Sequence, residues 1–314
     1  MRKVLLFGDP GIDDSLAIMY ALLHPDIELV GIVAGYGNVS RDQATKNAAY
    51  LLQLAKREDI PIIAGAIRPL SGEVNVYYPE IHGPSGLGPI RPPANLQVRI
   101  YPFQTIFSLV NQYKNELTII DVGRSTSLAI TFLLGEETMK KVKEYYIMGG
   151  AFLTPGNVTP LAEANVFGDP TATQIVLEQA QSVTMIPLNV TNKAIITPAM
   201  IDYILKQNHA TFEFLIQPIF HYYFKSYQKL QPGSKGAPLH DLVTFSALSN
   251  PSLVEYTYRE VEVVSTGRTG NTRGLTVADF RPRSQEKSHK KDTRIGLNLH
   301  TDAFVQDFIN IMSR

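Results

Sequence analysis

Through the first two-thirds of the chain, short apolar runs alternate with longer stretches in which apolar residues recur every three to four positions. Residues 3–7 read as a strand followed by a helix over 15–23, residues 27–34 as a strand followed by a helix over 41–55, and 61–64 as a strand standing alone. The rhythm resumes with a strand at 117–122 before a helix at 125–134, and a strand at 144–148 before a glycine pair. A helix at 172–179 then precedes a strand at 182–187. Strands alternating with helices predict the α/β class, with an open, mainly parallel Rossmann-like sheet joined by right-handed crossovers and flanked by helices. Two segments, 71–95 and 217–240, are rich in turn formers and aromatics and read as irregular, serving either as lids or binding loops or as plain surface loops. Residues 261–280 alternate with Gly and Thr, which predicts a hairpin. The run 281–294, six basic residues against two acidic, reads as a solvated loop.

Composition narrows the functional classes. A chain of 314 residues, 44% hydrophobic, can bury one large α/β core or two modest ones. Its 29 Lys and Arg balance 29 Asp and Glu, so no global basic field draws in nucleic acid, which is not expected as a partner. With no cysteine, disulfides and thiolate nucleophiles are excluded, and any metal must be held by oxygen or imidazole. The N-terminal apolar run meets Asp9 far too early for a secretory signal. No later stretch approaches the roughly 20 apolar residues of a membrane span. A cytoplasmic location, away from the membrane, is the expectation.

The stretch Phe7-Gly8-Asp9-Pro10-Gly11-Ile12-Asp13-Asp14-Ser15 falls where the first strand should end and the first helix begin. In an open parallel sheet this edge forms the ligand crevice. Asp13 and Asp14 suit a helix N-terminus on their own account, but capping does not explain Asp9. Three carboxylates on one tight turn repel one another. At about 4 Å and an effective dielectric near 20, each close pair costs roughly 4 kcal/mol. A hard cation removes that cost, and oxygen-only ligation suits calcium better than zinc. On the residues alone, the capping and metal readings both stand.

Asp9-Pro10-Gly11-Ile12-Asp13-Asp14 resembles the signature of the inosine-uridine preferring nucleoside hydrolase family, and the resemblance runs in order toward the C-terminus. Gly37-Asn38-Val39-Ser40 looks like the family's glycine-asparagine turn, and His82-Gly83-Pro84-Ser85-Gly86-Leu87-Gly88 like its HGxxGLG loop. Met148-Gly149-Gly150, Gly156-Asn157, Ala162-Glu163-Ala164-Asn165 and Asp169-Pro170 match its central block. His240-Asp241 and Gly274-Leu275-Thr276-Val277-Ala278-Asp279 match its late motifs. Any one of these is weak, whereas the ordered set spans essentially the whole chain.

The resemblance implies a single nucleoside hydrolase domain over residues 1–314 that cuts the N-glycosidic bond of ribonucleosides, a glycosidase of nucleoside salvage, working as a homodimer or homotetramer. It implies a calcium ion held by Asp9, Asp14 and Asp241 with the Val122 carbonyl, and Asp9 as the general base that takes a proton from the attacking water. Asp13 would hold the 2′-hydroxyl, Asn38 would orient the metal-water region, Asn157, Glu163 and Asn165 would fix the ribose hydroxyls, and Met148 would pack beneath the ring. His240, with an ordinary pKa near 6.5, is the candidate proton donor to, or packing partner of, the departing base. His82 would line the base pocket. Tyr222, Tyr223 and Tyr227 read either as a helical core stripe or as a base-stacking lid.

Two departures from the family pattern stand out. Phe7 replaces an acid, which weakens support around the metal. Val122-Gly123-Arg124-Ser125-Thr126-Ser127 alters a usual TGPLTN-like turn, and Arg124 there either points outward or meets an anionic substrate group. The absence of tryptophan argues against the branch that sandwiches purines between indoles, and the absence of cysteine against the branch with Cys for the late histidine. An aspartate-nucleophile phosphatase would need an acidic DxD pair, which Phe7-Gly8-Asp9 lacks. A non-catalytic, calcium-bound riboside-binding protein is the remaining alternative, and the joint presence of Asp9, Asn38, Asn165 and His240 favours the enzyme.

Overall fold

The computed structural model describes residues 1–72, 75–207, 211–265, 272–282 and 292–314. Its first half contains β1 (Arg2–Gly8), α1 (Ile12–Leu23), β2 (Ile27–Ala34), α2 (Arg41–Leu54), β3 (Ile62–Ala64), α3 (Pro79–His82), β4 (Ile100–Tyr101), α4 (Thr105–Gln112), β5 (Leu117–Asp121), α5 (Thr126–Met139) and β6 (Glu144–Met148). There follow α6 (Ala164–Gly168), α7 (Pro170–Gln179), β7 (Val183–Ile186), α8 (Leu188–Thr191), β8 (Ile195–Ile196), α9 (Pro198–Gln207), α10 (Glu213–Leu230), β9 (Ala237–Pro238) and α11 (His240–Ser249). The chain closes with β10 (Val254–Arg259), β11 (Glu262–Val263), β12 (Thr276–Val277), β13 (Thr293–Leu299) and α12 (Thr301–Met312).

Nine strands form one sheet in the order β10-β13-β7-β6-β5-β1-β2-β3-β4. Every neighbouring pair is parallel except β10 with β13. This is the α/β architecture that the alternation predicts. The inner strands are apolar throughout because both faces are covered. In β1, Val4 and Leu6 face one core and Leu5 and Phe7 the other. The first core packs α1, α2, α10, α11 and α12 on the sheet, and the second packs α4, α5 and α7 on the opposite face. The chain runs outward from β1 through β4, then returns to β5 on the other side of β1. That reversal opens a crevice beyond the carboxyl ends of β1 and β5, the usual ligand position in such sheets.

Three readings of the pattern need adjustment. Most of 217–240 is not irregular, because α10 runs to Leu230 despite Pro218, burying Leu215, Ile216, Ile219, Phe220 and Tyr223 along one face. The hairpin of 261–280 is present as β11 pairing antiparallel with β12, although 266–271 lie outside the described residues. The basic run 281–294 lies largely outside them too, but its end is strand rather than solvated loop. There Arg294 donates to the Tyr146 hydroxyl at 2.7 Å and Thr184 Oγ1 at 2.9 Å, with Tyr256 beneath its guanidinium. Among the described residues, no helix is long and apolar enough to cross a membrane.

Candidate active site

The aspartate turn leaves β1 at the switch point and enters α1 with Gly11 as its N-cap. Its backbone is tied to its own acids. The Asp9 N–H donates to Asp14 Oδ1 at 3.1 Å, and the Gly11 N–H to Asp14 Oδ2 at 3.0 Å. Asn38, from the turn after β2, donates its side-chain amide to Asp14 Oδ2 at 2.9 Å and its backbone N–H to Asp9 Oδ2. A Cβ at Gly37 would run into the Asp9 carboxylate, so only glycine permits this approach. Asp14 is therefore saturated on one side, while Asp9 Oδ1 and Asp13 Oδ1 are buried acceptors without a partner.

The first turn of α11 brings Asp241 to the same place from more than two hundred residues away. Asp13, Asp14 and Asp241 each offer an oxygen within 4.8 Å of the others, and all three are buried, so the triad could hold a metal ion. Asp9 flanks it, held against Asp14 by its own N–H. Just past β5, the Val122 carbonyl accepts from the Asn165 side-chain amide at 2.8 Å. The carboxylates of this cluster resist ionisation. Burial, then Asp14, pushes Asp9 well above the ordinary carboxylate range and Asp13 up to about 7. Burial, then Asp13, raises Asp241 well above that range, and burial raises Asp14. Buried acids with open oxygens, and no imidazole or thiolate donor among them, suit a hard cation that favours oxygen ligands.

Above the cluster lies a cleft of about 540 Å³, counted to its open mouth. All seven side chains expected at substrate line it: Asp13, Asn38, His82, Met148, Asn157, Glu163 and Asn165, and so do Val122, His240 and Asp241. Asp9 and Asp14 sit beneath. Glu163 caps α6 and spends its carboxylate on the N–H groups of Gly150, Asn165 and Val166, at 3.1, 2.7 and 3.0 Å. Asn157 uses its carbonyl on the Ala164 N–H at 2.9 Å, which leaves its amide hydrogens toward the cleft. His82 Nδ1 accepts from the Ile12 N–H at 3.1 Å, so its ring proton resides on Nε2.

A profile of the inosine-uridine preferring nucleoside hydrolases matches residues 4–306. The chain belongs to that family. It is 33% identical over 273 residues to uridine nucleosidase 1 of Arabidopsis thaliana, covering 85% of this chain and 79% of that protein. To the inosine-uridine preferring nucleoside hydrolase of Crithidia fasciculata it is 31% identical over 307 residues, 96% of this chain and 95% of that one. A plant nucleoside hydrolase of known structure superposes with a TM-score of 0.90 at 29% identity over 99% of both chains. The chain is thus an enzyme of the nucleoside hydrolase class, with the fold its motifs imply.

Within the nucleoside hydrolase fold, the aromatic residues divide. Tyr223 and Tyr227 line the cleft from α10, stacked edge to face at 4.8 Å, while Tyr222 faces the 82–88 loop, where a Cβ on Gly88 would touch it. Core stripe and cleft wall prove compatible for Tyr223, which is buried and still reaches the cavity. The Tyr227 hydroxyl bonds His240 Nε2 at 2.9 Å, and Thr191 Oγ1 bonds Nδ1 at 2.8 Å. Burial pushes His240 down to about 4, and burial with His240 nearby pushes His82 to about 3. The ordinary value near 6.5 therefore does not apply to His240, and near neutrality it is a neutral ring that can pass on only an N–H proton. Arg124 neither points outward nor faces the cleft, being buried beside Tyr36 and Tyr78. Tyr78 and Ile81 also line the cleft, and only the aromatic cluster before His82 hinted at them.

Proposed function

We propose that this nucleoside hydrolase carries calcium at the aspartate cluster and cuts the N-glycosidic bond of ribonucleosides to free base and ribose, in nucleoside salvage. The observation that supports this most is the pair of orphaned buried oxygens on Asp9 and Asp13, of which Asp13 lines the cleft with Asn157, Asn165 and His240 while Asp9 lies beneath it beside Asp14. In this reading Asp9, Asp14, Asp241 and the Val122 carbonyl would hold the ion. Calcium would supply positive charge that acidifies water and binds the ribose diol. Asp9 Oδ1 takes the proton of the water attacking C1′. Asp13 holds the 2′-hydroxyl, and the Asn157 amide and the Asn165 side-chain oxygen fix the ribose hydroxyls, with Met148 beneath the ring and Asn38 steadying Asp9. As the bond opens, positive charge grows on the sugar and negative charge on the base. The carboxylates lie on the sugar side, and the Tyr227–His240 pair offers a proton on the base side, with His82 lining that end. A single domain and a homodimer or homotetramer complete the proposal on the strength of the family resemblance, with the cytoplasmic setting expected from the sequence.

Ribose release from inosine, adenosine, guanosine, uridine and cytidine, with calcium or with chelator, tests it. Calcium-dependent release is expected from at least one of them and also gives the base preference. Equal turnover in chelator would overturn the role of the ion, and silence on all five, with binding retained, would make the chain a riboside-binding protein.

A further inference from the structure

We infer that Arg124 is a positioning residue, a buried strut that joins the three segments carrying Asn38, Tyr78 and Asn165 around the cleft. The inference rests on the proposed function for what the cleft does, but its geometry stands alone. Arg124 follows β5 and is only 6% exposed. Its Nη2 donates to the Gly37 carbonyl at 3.2 Å and to the Val76 carbonyl at 2.5 Å. Gly37 immediately precedes Asn38, and Val76 lies two residues before Tyr78. The guanidinium carbon stands 5.0 Å from the Tyr36 ring centre and 5.9 Å from that of Tyr78. At Gly168, the last residue of α6, an added Cβ would strike Cδ of Arg124 and come within 2.6 Å of Nε, so α6 lies directly on the arginine stem. That helix carries Asn165 and is capped by Glu163.

The requirement is specific to arginine. Its Nη2 serves carbonyls of two segments while the flat face of the guanidinium meets aromatic rings, whereas lysine is a point charge with no flat face. Removing the donors strands the buried Gly37 carbonyl and releases the half-buried Val76 carbonyl, so the segment that carries Asn38 must move to find a partner and the segment before Tyr78 loses its tie. The charge also reaches Asp9 and Glu163, both of which it draws downward against the effect of burial. The guanidinium thus touches one cleft residue, Tyr78, and otherwise the segments that carry cleft residues, while Arg124 itself does not line the cleft.

Two variants, R124Q and R124K, followed by amide hydrogen exchange and by steady-state kinetics at saturating calcium, test the inference. The reporters are the N–H of Asn38, bonded to Asp9, and the N–H of Tyr78, bonded to the Asn38 carbonyl at 3.2 Å, with the β5 amides as internal reference. In R124Q the reporters should exchange at least about tenfold faster with β5 unchanged, and kcat should fall about 10- to 100-fold, more than KM rises, as expected for misplaced side chains. R124K should lie between R124Q and wild type. Unchanged reporter exchange, exchange rising equally in β5, or wild-type kcat in R124Q would each overturn the strut. Should the wild-type protein cleave no ribonucleoside, the proposed function fails, and the exchange experiment alone still decides the role of Arg124.

Discussion

Asp9 has a fixed task for each polar group: its N–H serves Asp14, its Oδ2 serves Asn38, and its Oδ1 is open. An Asp9→Asn change keeps the shape and removes the proposed base, so turnover should drop by about 10²- to 10⁴-fold. The same change removes one acid from a buried, mutually repelling set, so the chelated protein should melt at a higher temperature than wild type. Turnover within about tenfold of wild type would show that the proton goes elsewhere. Spacing marked the acids of this turn as a cluster that capping does not fully explain, and the family resemblance supplied their expected roles. Arg124 was not legible: its burial depends on Tyr36, Tyr78 and Gly168, which come from three other parts of the chain. His240 was misjudged in its protonation for a similar reason, since an ordinary imidazole value presumes water around the ring.

At the level of elements, the inner strands announced themselves as continuous apolar runs, while α10 did not, because Pro218 and a mix of aromatic and polar residues masked its periodic face. That helix matters to the cleft, since it supplies Tyr223 and Tyr227 and docks on the 82–88 loop through Tyr222. The docking is close at Gly88, where φ is +57° and an added Cβ would lie 2.8 Å from Tyr222 Cβ. Gly88→Ala must therefore meet both an unfavourable backbone conformation and a collision, a cost of about 1–3 kcal/mol. The loop that carries His82 can relieve the collision only by moving away from α10, so KM for the best ribonucleoside should rise while kcat changes less. Thermal unfolding and initial rates measure the two effects. A variant with wild-type stability and KM would mean that the loop adjusts freely and does not shape the cleft.

Across the whole molecule, the cluster joins the β1–α1 turn to the N-terminus of α11, so its charge state bears on the stability of the entire fold. The ordered motifs made this architecture readable, but no pattern in the chain told how deeply the acids would be buried. Burial holds Asp13 and Asp121 at about 7, and Asp9 and Asp241 well above the ordinary range. A carboxyl raised on folding contributes stability at low pH and loses it as pH climbs through its folded value. His82 and His240 work in the opposite sense, being lowered to about 3 and 4 from 6.5, so below 6.5 they favour the unfolded chain and partly mask the acids. Above that value both rings are neutral in either state, and the acids act alone. Metal-free protein should consequently lose thermal stability as pH rises from about 6.5 to about 8. Calcium at the proposed site would bind the ionised form and compete with protons, so its stabilisation should grow over the same window and, at about 100 times its dissociation constant, reach about 2.7 kcal/mol. Melting curves across that range in chelator and in excess calcium would register both slopes. If the chelated profile were flat and calcium left the midpoint unmoved, the buried acids would have to be neutralised by contacts within the chain rather than by an ion.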